Sequence, residues 1–288
     1  MHVGIDSITM RWTPRGRSAD VEDRRAGGGG FRRAGSIGVG GLLVLIVLSL
    51  LTGQNFLSIF DPGVEDTISP APGSPPATTS PQEEELVQFV SFVLDDAQDT
   101  WERLLPGRYQ RAQLVLFRDA VQSACGFAEA ATGPFYCPGD RKVYIDLGFY
   151  QELRQRFGAP GDFAQAYVLT HEIGHHVQTL LGIEGRMRQM QQARPQLANE
   201  LSVRLELQAD CFAGLWGNST AQRNILERGD VEEGLAAAAA IGDDRIQRMS
   251  GARVAPERFT HGSSAQRVEW FRRGLQSGKI EACDTFNQ

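Results

Sequence analysis

The sequence lacks a basic patch with interleaved aromatic residues, which is the feature expected of a nucleic-acid interface. Its 288 residues have a formal net charge of −6, and this charge is unevenly distributed. Residues 1–33 carry seven arginines and four acidic residues, so the remaining residues have a net charge of −9. Because nucleic-acid binding depends on basic residues that neutralise phosphates, we expect no nucleic-acid partner for the larger, acidic part of the chain.

The cysteines include no Cys-x-x-Cys pair, and this absence argues against a structural zinc knuckle. There are four: Cys125, Cys137, Cys211 and Cys283. If the domain is exported to an oxidising compartment, they can form two disulfides in three possible pairings. Cys125–Cys137 is favoured because the two are close in sequence and flank a loop rich in Gly and Pro, which leaves Cys211 with Cys283. Four buried free thiols are the alternative.

No charged residue occurs between Ala34 and Phe60, and residues 37–51 are mostly Leu, Val and Ile. An apolar run of this length can cross a bilayer once, so we predict a transmembrane helix over 34–56. Arginines lie only on its N-terminal side. The positive-inside rule therefore predicts a single-pass protein of the cell membrane, with a cytoplasmic N-terminus and an extracytoplasmic large domain. A cleaved signal peptide and a buried core helix are the alternatives.

The rest of the chain divides by composition. We predict a disordered, Arg/Gly-rich cytoplasmic tail (1–33), a Pro/Ser/Thr-rich linker after the membrane helix (57–82) and a folded domain (83–288). The composition does not indicate an oligomeric state.

Within the folded domain, apolar residues at helical spacing predict a helix over 83–104. The segments QLVLFR (113–118) and KVYID (142–146) predict two strands, and the pattern after Phe149 indicates helices and loops. We find no internal repeat. The expected fold is α+β, a mainly helical domain with a small β-sheet.

The segment 163–181 (FAQAYVLTHEIGHHVQTLL) is an amphipathic helix by its spacing. His171 and His175 are four residues apart and therefore lie on one face, where their imidazoles can share a metal ion. Glu172 projects beside them, close enough to reach a water on the metal. Gly174 disfavours a helix interior, so we expect it to allow close approach of another segment. Two solvated or capped histidines are the alternative interpretation.

A catalytic zinc ion needs a third protein ligand and one open position. Outside the motif only His2 and His261 remain, and His2 is predicted to lie across the membrane. The segment 205–216 (LELQADCFAGLW) offers carboxylates instead, since Glu206 and Asp210 lie on one face of a strongly apolar helix. We assign Glu206 as the third ligand and Asp210 as the acceptor that orients a ligand histidine. An exposed acidic stripe is the alternative.

The sequence HEIGHH, followed by E-x-x-A-D on a later helix, resembles the gluzincin metalloproteases. More closely, the chain resembles a bacterial family of neutral zinc metallopeptidases, from Met10 to the C-terminus. The shared motifs are MRW…VEDRR, CG…GPFYCP, KVYIDLGF, HEIGHHVQ, ELQADCFAG and HGSSAQR. The resemblance implies a zincin-like domain with one Zn²⁺ per chain, bound by His171, His175 and Glu206, and Glu172 as the catalytic base. It also suggests Met10 as the true start of the protein.

The resemblance also suggests roles for two further segments. Thr260-His261-Gly262-Ser263, with Arg267, resembles an element of membrane-bound gluzincins, which implies that His261 hydrogen-bonds the oxyanion formed during attack. A loop histidine that caps the following helix is the alternative. Val143–Asp146 is expected to be the edge strand along which an extended peptide pairs, or else an ordinary structural strand.

These features predict a zinc-dependent endopeptidase that hydrolyses extracytoplasmic protein or peptide substrates and is attached to the lipid bilayer by its N-terminal helix. Two alternatives remain at the level of sequence. One is a membrane-tethered zinc-binding scaffold without peptidase activity, although such a site would not need Glu172. The other is a metal-dependent amidase that acts on cell-wall peptides.

Overall fold

The computed structural model describes residues 10–25, 80–129 and 133–287. In this part of the chain the strands are β1 (Val21–Asp23), β2 (Gln113–Phe117), β3 (Ala120–Ser123), β4 (Gly126–Glu129), β5 (Phe135–Cys137) and β6 (Lys142–Asp146). The α-helices are α1 (Pro81–Leu104), α2 (Gly148–Gln155), α3 (Asp162–Leu180), α4 (Ile183–Ala193), α5 (Ala198–Gln222), α6 (Asp230–Ala240), α7 (Asp243–Met249) and α8 (Ser264–Ser277). The prediction of a mainly helical α+β domain with a small sheet is confirmed.

The main sheet has the strand order β1-β2-β6-β5. Strands β1, β2 and β6 are parallel, and β5 is antiparallel to β6. The apolar run QLVLF forms β2, with four of its five residues buried, because the strand is paired on both sides and covered by the core. Strands β3 and β4 form a separate hairpin. Both strands predicted from the sequence, 113–118 and 142–146, are therefore present.

The position of β6 decides between two expected roles. Of the two roles expected for Val143–Asp146, edge strand or ordinary structural strand, the structure shows the second, because β6 pairs with β2 on one side and with β5 on the other. The strand at that edge of the described sheet is β5, formed by Phe135–Cys137. Sequence patterns missed β5 because three residues between Pro134 and Pro138 give no measurable alternation.

Glycines hold the central helices close together. A Cβ added to Gly174 on α3 would lie 3.0 Å from the Cα and carbonyl oxygen of Ala209 on α5. That distance is shorter than ordinary van der Waals contact, so the expected close approach at Gly174 is confirmed. Gly214 on α5 and Gly274 on α8 likewise face the backbone of the other helix, with no room for a side chain. Helices α3, α5 and α8 are thus fixed at close range, and they carry the candidate site.

Residues 10–25 are folded onto the domain, so the prediction of a disordered tail is wrong for this segment. Strand β1 pairs with β2, with Val21 opposite Leu114. Met10 is only 2% exposed and belongs to the main hydrophobic core. Trp12 packs edge to face against Phe89 of α1, with ring centroids 5.3 Å apart. The apolar groups of this short segment are buried against the rest of the domain, which sequence composition alone does not reveal.

The arginines of this segment also have partners in the fold. Arg25 pairs with Asp23 and with Glu83 of α1, and Arg17 pairs with Asp23 and Glu84. Their charge therefore complements an acidic domain. A single membrane crossing would separate residues 10–25 from residues 80–287, and the pairing of β1 with β2 in one chain is incompatible with that separation. Residues 10–25 belong to the same folded unit as the domain, and the side of the membrane on which this unit lies stays a prediction.

Among residues 10–25, 80–129 and 133–287, no helix combines the length and apolar composition needed to cross a bilayer. The predicted transmembrane helix, 34–56, lies outside the described residues, and so does most of the predicted linker, 57–82. Helix α1 begins at Pro81, and the side chain of Ser80 caps it by accepting a hydrogen bond from the backbone of Glu83.

Both predicted disulfides are present. Cys125 is bonded to Cys137 and Cys211 to Cys283. These bridges close loops of 12 and 72 residues, for which the chain-entropy model gives stabilisations of about 3 and about 4 kcal/mol. The longer bridge ties α5 to the C-terminal segment, one residue after Asp210.

Candidate metal centre and active-site cleft

Helix α3 places the HEIGH motif at the floor of a cleft. Fourteen of its nineteen residues are buried, because the helix runs through the core. His171 and Glu172 are 5% and 8% exposed, and both line the cleft together with His175. The i, i+4 spacing puts the two imidazole rings 4.8 Å apart, centroid to centroid, on the face turned to the cleft.

Helix α5 brings a carboxylate to these histidines. Glu206 Oε2 lies 3.2 Å from His171 Nε2, and Glu206 Oε1 lies 3.5 Å from His175 Nε2. One ligand atom of each of the three residues lies within 4.8 Å of the others. Donor atoms around a tetrahedral zinc ion, with bonds of about 2.0–2.1 Å, are about 3.3 Å apart. Two imidazole nitrogens and a carboxylate at this spacing fit Zn²⁺.

Asp210, one turn after Glu206, orients His171 from the other side. It is fully buried, and its Oδ1 accepts a hydrogen bond from His171 Nδ1 at 2.9 Å. A carboxylate can only accept, so the imidazole carries a proton on Nδ1, and its Nε2 faces Glu206. The hydroxyl of Tyr167, four residues before His171, donates to the same Oδ1 at 2.5 Å. The structure thus brings the four residues His171, His175, Glu206 and Asp210 together as predicted.

Arg267 from α8 closes this network. Its Nε donates to Asp210 Oδ2 and its Nη2 to Oδ1, both at 2.9 Å. The guanidinium is buried, with a side-chain exposure of 2%. Burial favours protonation of Asp210, but the guanidinium and His171 outweigh it and hold the pKa of that carboxyl below its usual range. The negative charge that orients His171 is therefore fixed by a buried bidentate ion pair.

The same charges act on His171. Burial opposes its protonation, but the carboxylates of Asp210 and Glu206 outweigh burial and raise the pKa of His171 to about 9. A metal ion at Nε2 must displace this proton, so metal affinity is coupled to pH.

His175 is oriented by a residue that the sequence analysis did not identify. Its Nδ1 lies 2.8 Å from Gln178 Oε1, and the amide of Gln178 donates to Leu205 O at 2.7 Å on α5. Since Gln178 presents an acceptor, the imidazole donates from Nδ1, and its Nε2 is directed to Glu206. Gln178 also donates to Gln208, which in turn bonds Cys283 O beside the longer disulfide. In the sequence, the position of Gln178 three residues after His175 was the feature that could have indicated this role.

His176 is turned away from the two candidate ligand histidines. It is fully buried, and its two ring nitrogens lie 3.1 Å from the hydroxyl of Tyr136 on β5 and 2.6 Å from Gln110 O. Burial lowers the pKa of His176. This residue therefore ties α3 to the strand at the edge of the sheet.

His261 lines the cleft but is not a partner of the predicted ligands in the described structure. Its Nδ1 lies 3.2 Å from Asp243 Oδ1, and this hydrogen bond raises its pKa. The alternative role as a helix cap is wrong, because Ser263 caps α8 in a reciprocal capping box with Gln266. A role of His261 at the oxyanion remains a prediction.

The cleft has a volume of about 690 Å³. Its floor carries the histidine pair and Glu172, and one wall is formed by β5 and the residues that precede it. The other walls include the apolar side chains Phe149, Val168 and Ile241. A cavity of this size with a few polar groups at its floor is typical of a binding site.

Comparison with known proteins agrees with this geometry. The chain is 47% identical to the Uncharacterized protein YpfJ of Escherichia coli (strain K12), over 97% of this chain and 99% of the relative. It is also 47% identical to the Uncharacterized protein Rv2575 of Mycobacterium tuberculosis, over 65% of this chain and 66% of the relative. No solved structure matches. The model of a family described as "Putative neutral zinc metallopeptidase" matches residues 10–286, so the chain belongs to this family of zinc metallopeptidases.

Proposed function

We propose that this protein is a zinc-dependent endopeptidase that hydrolyses peptide bonds in extended protein or peptide segments. The observation that carries the proposal is the placement of His171, His175 and Glu206 at tetrahedral spacing, with Glu172 beside them on the floor of an open cleft. A purely structural zinc site uses four protein ligands and does not need Glu172.

Each residue of the site has a separate role in the proposed reaction. Zinc held by His171, His175 and Glu206 would supply a Lewis acid that lowers the pKa of water towards neutrality. Glu172 takes the proton of the attacking water and passes it to the leaving amine. Asp210 keeps the proton of His171 on Nδ1, so that Nε2 stays available as a ligand.

The edge strand β5 supplies a means of binding substrate. It pairs only with β6 in the described sheet, and Phe135 and Tyr136 line the cleft above α3. An extended peptide can add to such a strand through backbone hydrogen bonds, with alternate side chains entering pockets. Pairing along a backbone does not require a free chain end, and this supports an endopeptidase acting on unfolded segments.

The direct test is digestion of a denatured protein, such as reduced and alkylated casein, by the purified full chain. We expect new internal peptide termini, detected by mass spectrometry, that disappear with phenanthroline and return when Zn²⁺ is restored. Zinc binding without any cleavage would instead favour the scaffold alternative. Cleavage confined to purified cell-wall peptides would favour the amidase alternative.

The proposed location is outside the cytoplasm, beside the bilayer to which the apolar run 34–56 attaches the protein. Two disulfides among four cysteines support an oxidising compartment. Since residues 10–25 pack with the domain, we expect both to lie on the same side of the membrane.

Labelling of spheroplasts with a membrane-impermeant maleimide tests this location. Single cysteines placed at the exposed positions Arg15→Cys and Arg253→Cys should both react without permeabilisation. Reaction at Arg253→Cys alone would instead support a single membrane crossing, with residues 10–25 and the domain on opposite sides. Protection of both until the membrane is broken would place the domain in the cytoplasm and contradict the proposal.

A further inference from the structure

Three carboxylates meet at the beginning of the catalytic helix, away from the candidate metal centre. They belong to Asp162, the first residue of α3, and to Asp230 and Glu233 in the first turn of α6. One oxygen of each lies within 4.8 Å of the others. Asp230 is completely buried. Three like charges at this distance require compensation by donors or by a cation.

The hydrogen-bond donors around the three carboxylates do not satisfy all of their oxygen atoms. Asp230 accepts a hydrogen bond from Glu227 N at 2.7 Å, and Glu233 accepts a longer one from Phe163 N at 3.3 Å. The Oδ1 atoms of Asp162 and Asp230 are buried without a hydrogen-bond partner. Within the described residues, no Lys, Arg or His forms an ion pair with any of the three. Burial, followed by mutual repulsion, raises the pKa of Asp162 to about 6 and of Glu233 to about 7.

Another donor to this cluster is the backbone nitrogen of Met10. It lies 2.8 Å from Asp162 Oδ2, and Met10 is 2% exposed. The chain is held firmly up to this point, since Arg11 N donates to Ile225 O at 2.8 Å and Trp12 packs on α1. Methionine is the residue with which translation begins. The family match also starts at residue 10, and the Escherichia coli relative aligns over 99% of its own length with 97% of this chain.

We propose that the working protein begins at Met10 and that Asp162, Asp230 and Glu233 form a receptor for its α-ammonium group. An ammonium offers three donors where an amide offers one, so it can serve the carboxylate oxygens that otherwise lack partners. It also supplies the positive charge that the buried cluster lacks. Because Asp162 is the first residue of α3, this contact fixes the start of the helix that carries His171 and Glu172. The inference does not depend on peptidase activity.

The N-terminal residue of the purified protein can be determined directly by mass spectrometry. Protein purified after expression from its own gene, with both the Met1 and Met10 codons intact, should have the intact mass of a chain that begins with an unformylated Met10. A mass that includes residues 1–9, or a blocked amino group at Met10, would overturn the proposal.

A stability comparison tests the ion pair itself, using the chain that starts at Met10 and the chain extended by residues 1–9. The Met10 chain should unfold at a temperature roughly 5 °C or more higher, because the extension removes a buried charge partner. Asp162→Asn should lower the unfolding temperature of the Met10 chain. In the extended chain it should leave that temperature unchanged or raise it, because it removes one of three repelling carboxylates.

Two further variants complete this comparison of unfolding temperatures. Glu269→Gln breaks an exposed ion pair with Arg272, away from the cluster, and should give the same small shift in both chains. Glu233→Gln replaces Asp162→Asn if that variant does not fold. An equal effect of the receptor substitutions in both chains overturns the proposal. Binding of a second metal ion, lost in Asp162→Asn and detected by equilibrium dialysis with Ca²⁺, Mn²⁺ or Zn²⁺, would also overturn it.

Discussion

Replacing Glu172 by Gln should reduce the rate of peptide hydrolysis by a factor of about 10²–10⁴ or more while leaving zinc content near one per chain. The amide retains the size and hydrogen-bonding capacity of the carboxylate but cannot take the proton of water. Glu172 is not among the three residues at ligand spacing, so its substitution leaves the donor set intact. Initial rates with a quenched peptide and zinc content by atomic absorption measure the two effects separately.

Glu152→Gln is the matched control, because Glu152 lines the same cleft but belongs to α2 and is exposed. It should keep most of the activity. Undiminished hydrolysis by a pure Glu172→Gln preparation would refute the assignment of the general base. The same variant, compared with the wild type by proteomics of extracytoplasmic fragments, identifies the physiological substrates, since only products of the catalysed reaction differ between the two strains.

The candidate metal ligands could be predicted because their geometry is local. His171 and His175 share a helical face by their spacing alone, and so do Glu206 and Asp210 on α5. The sequence does not reveal where α3 and α5 cross. Gly174 nevertheless predicted a close approach of another segment to α3, and in the structure that segment is Ala209 of α5. Each part of the donor set could thus be derived within one helix, and a single close helix–helix contact assembles it.

The supporting residues were harder to predict because their partners are distant in sequence. Arg267 meets Asp210 only after α8 has packed against α5, a separation of 57 residues. The N-terminal strand β1 reaches β2 across a separation of about ninety residues and carries too few residues for a periodic signal. Arg17 and Arg25, which flank β1, look like a membrane-orientation signal in sequence, whereas in the fold they pair with carboxylates of α1. Charge clusters alone do not distinguish these two uses.

Asp210→Asn should have the largest effect on the stability of the site. It leaves the buried guanidinium of Arg267 with only the more distant Glu206 carboxylate, at 3.9 Å, as a counter-charge, which costs about 3–5 kcal/mol in the free energy of unfolding. It also removes the carboxylate that holds the proton of His171 on Nδ1, so zinc affinity should fall by about 10- to 100-fold. Denaturant unfolding of the metal-free protein and competition with a zinc chelator measure the two quantities. Glu269→Gln, which breaks an exposed pair with Arg272, should change each of them little.

A double substitution separates the two roles of this carboxylate. Asp210→Leu combined with Arg267→Met replaces the buried ion pair by apolar side chains of similar size, a change that is often neutral or stabilising. The free energy of unfolding should then recover, while zinc affinity stays low because nothing fixes the tautomer of His171. If zinc affinity recovers together with stability, Asp210 serves only to neutralise Arg267. If neither recovers, the hydroxyl of Tyr167, which also bonds Asp210, contributes more than the ion pair.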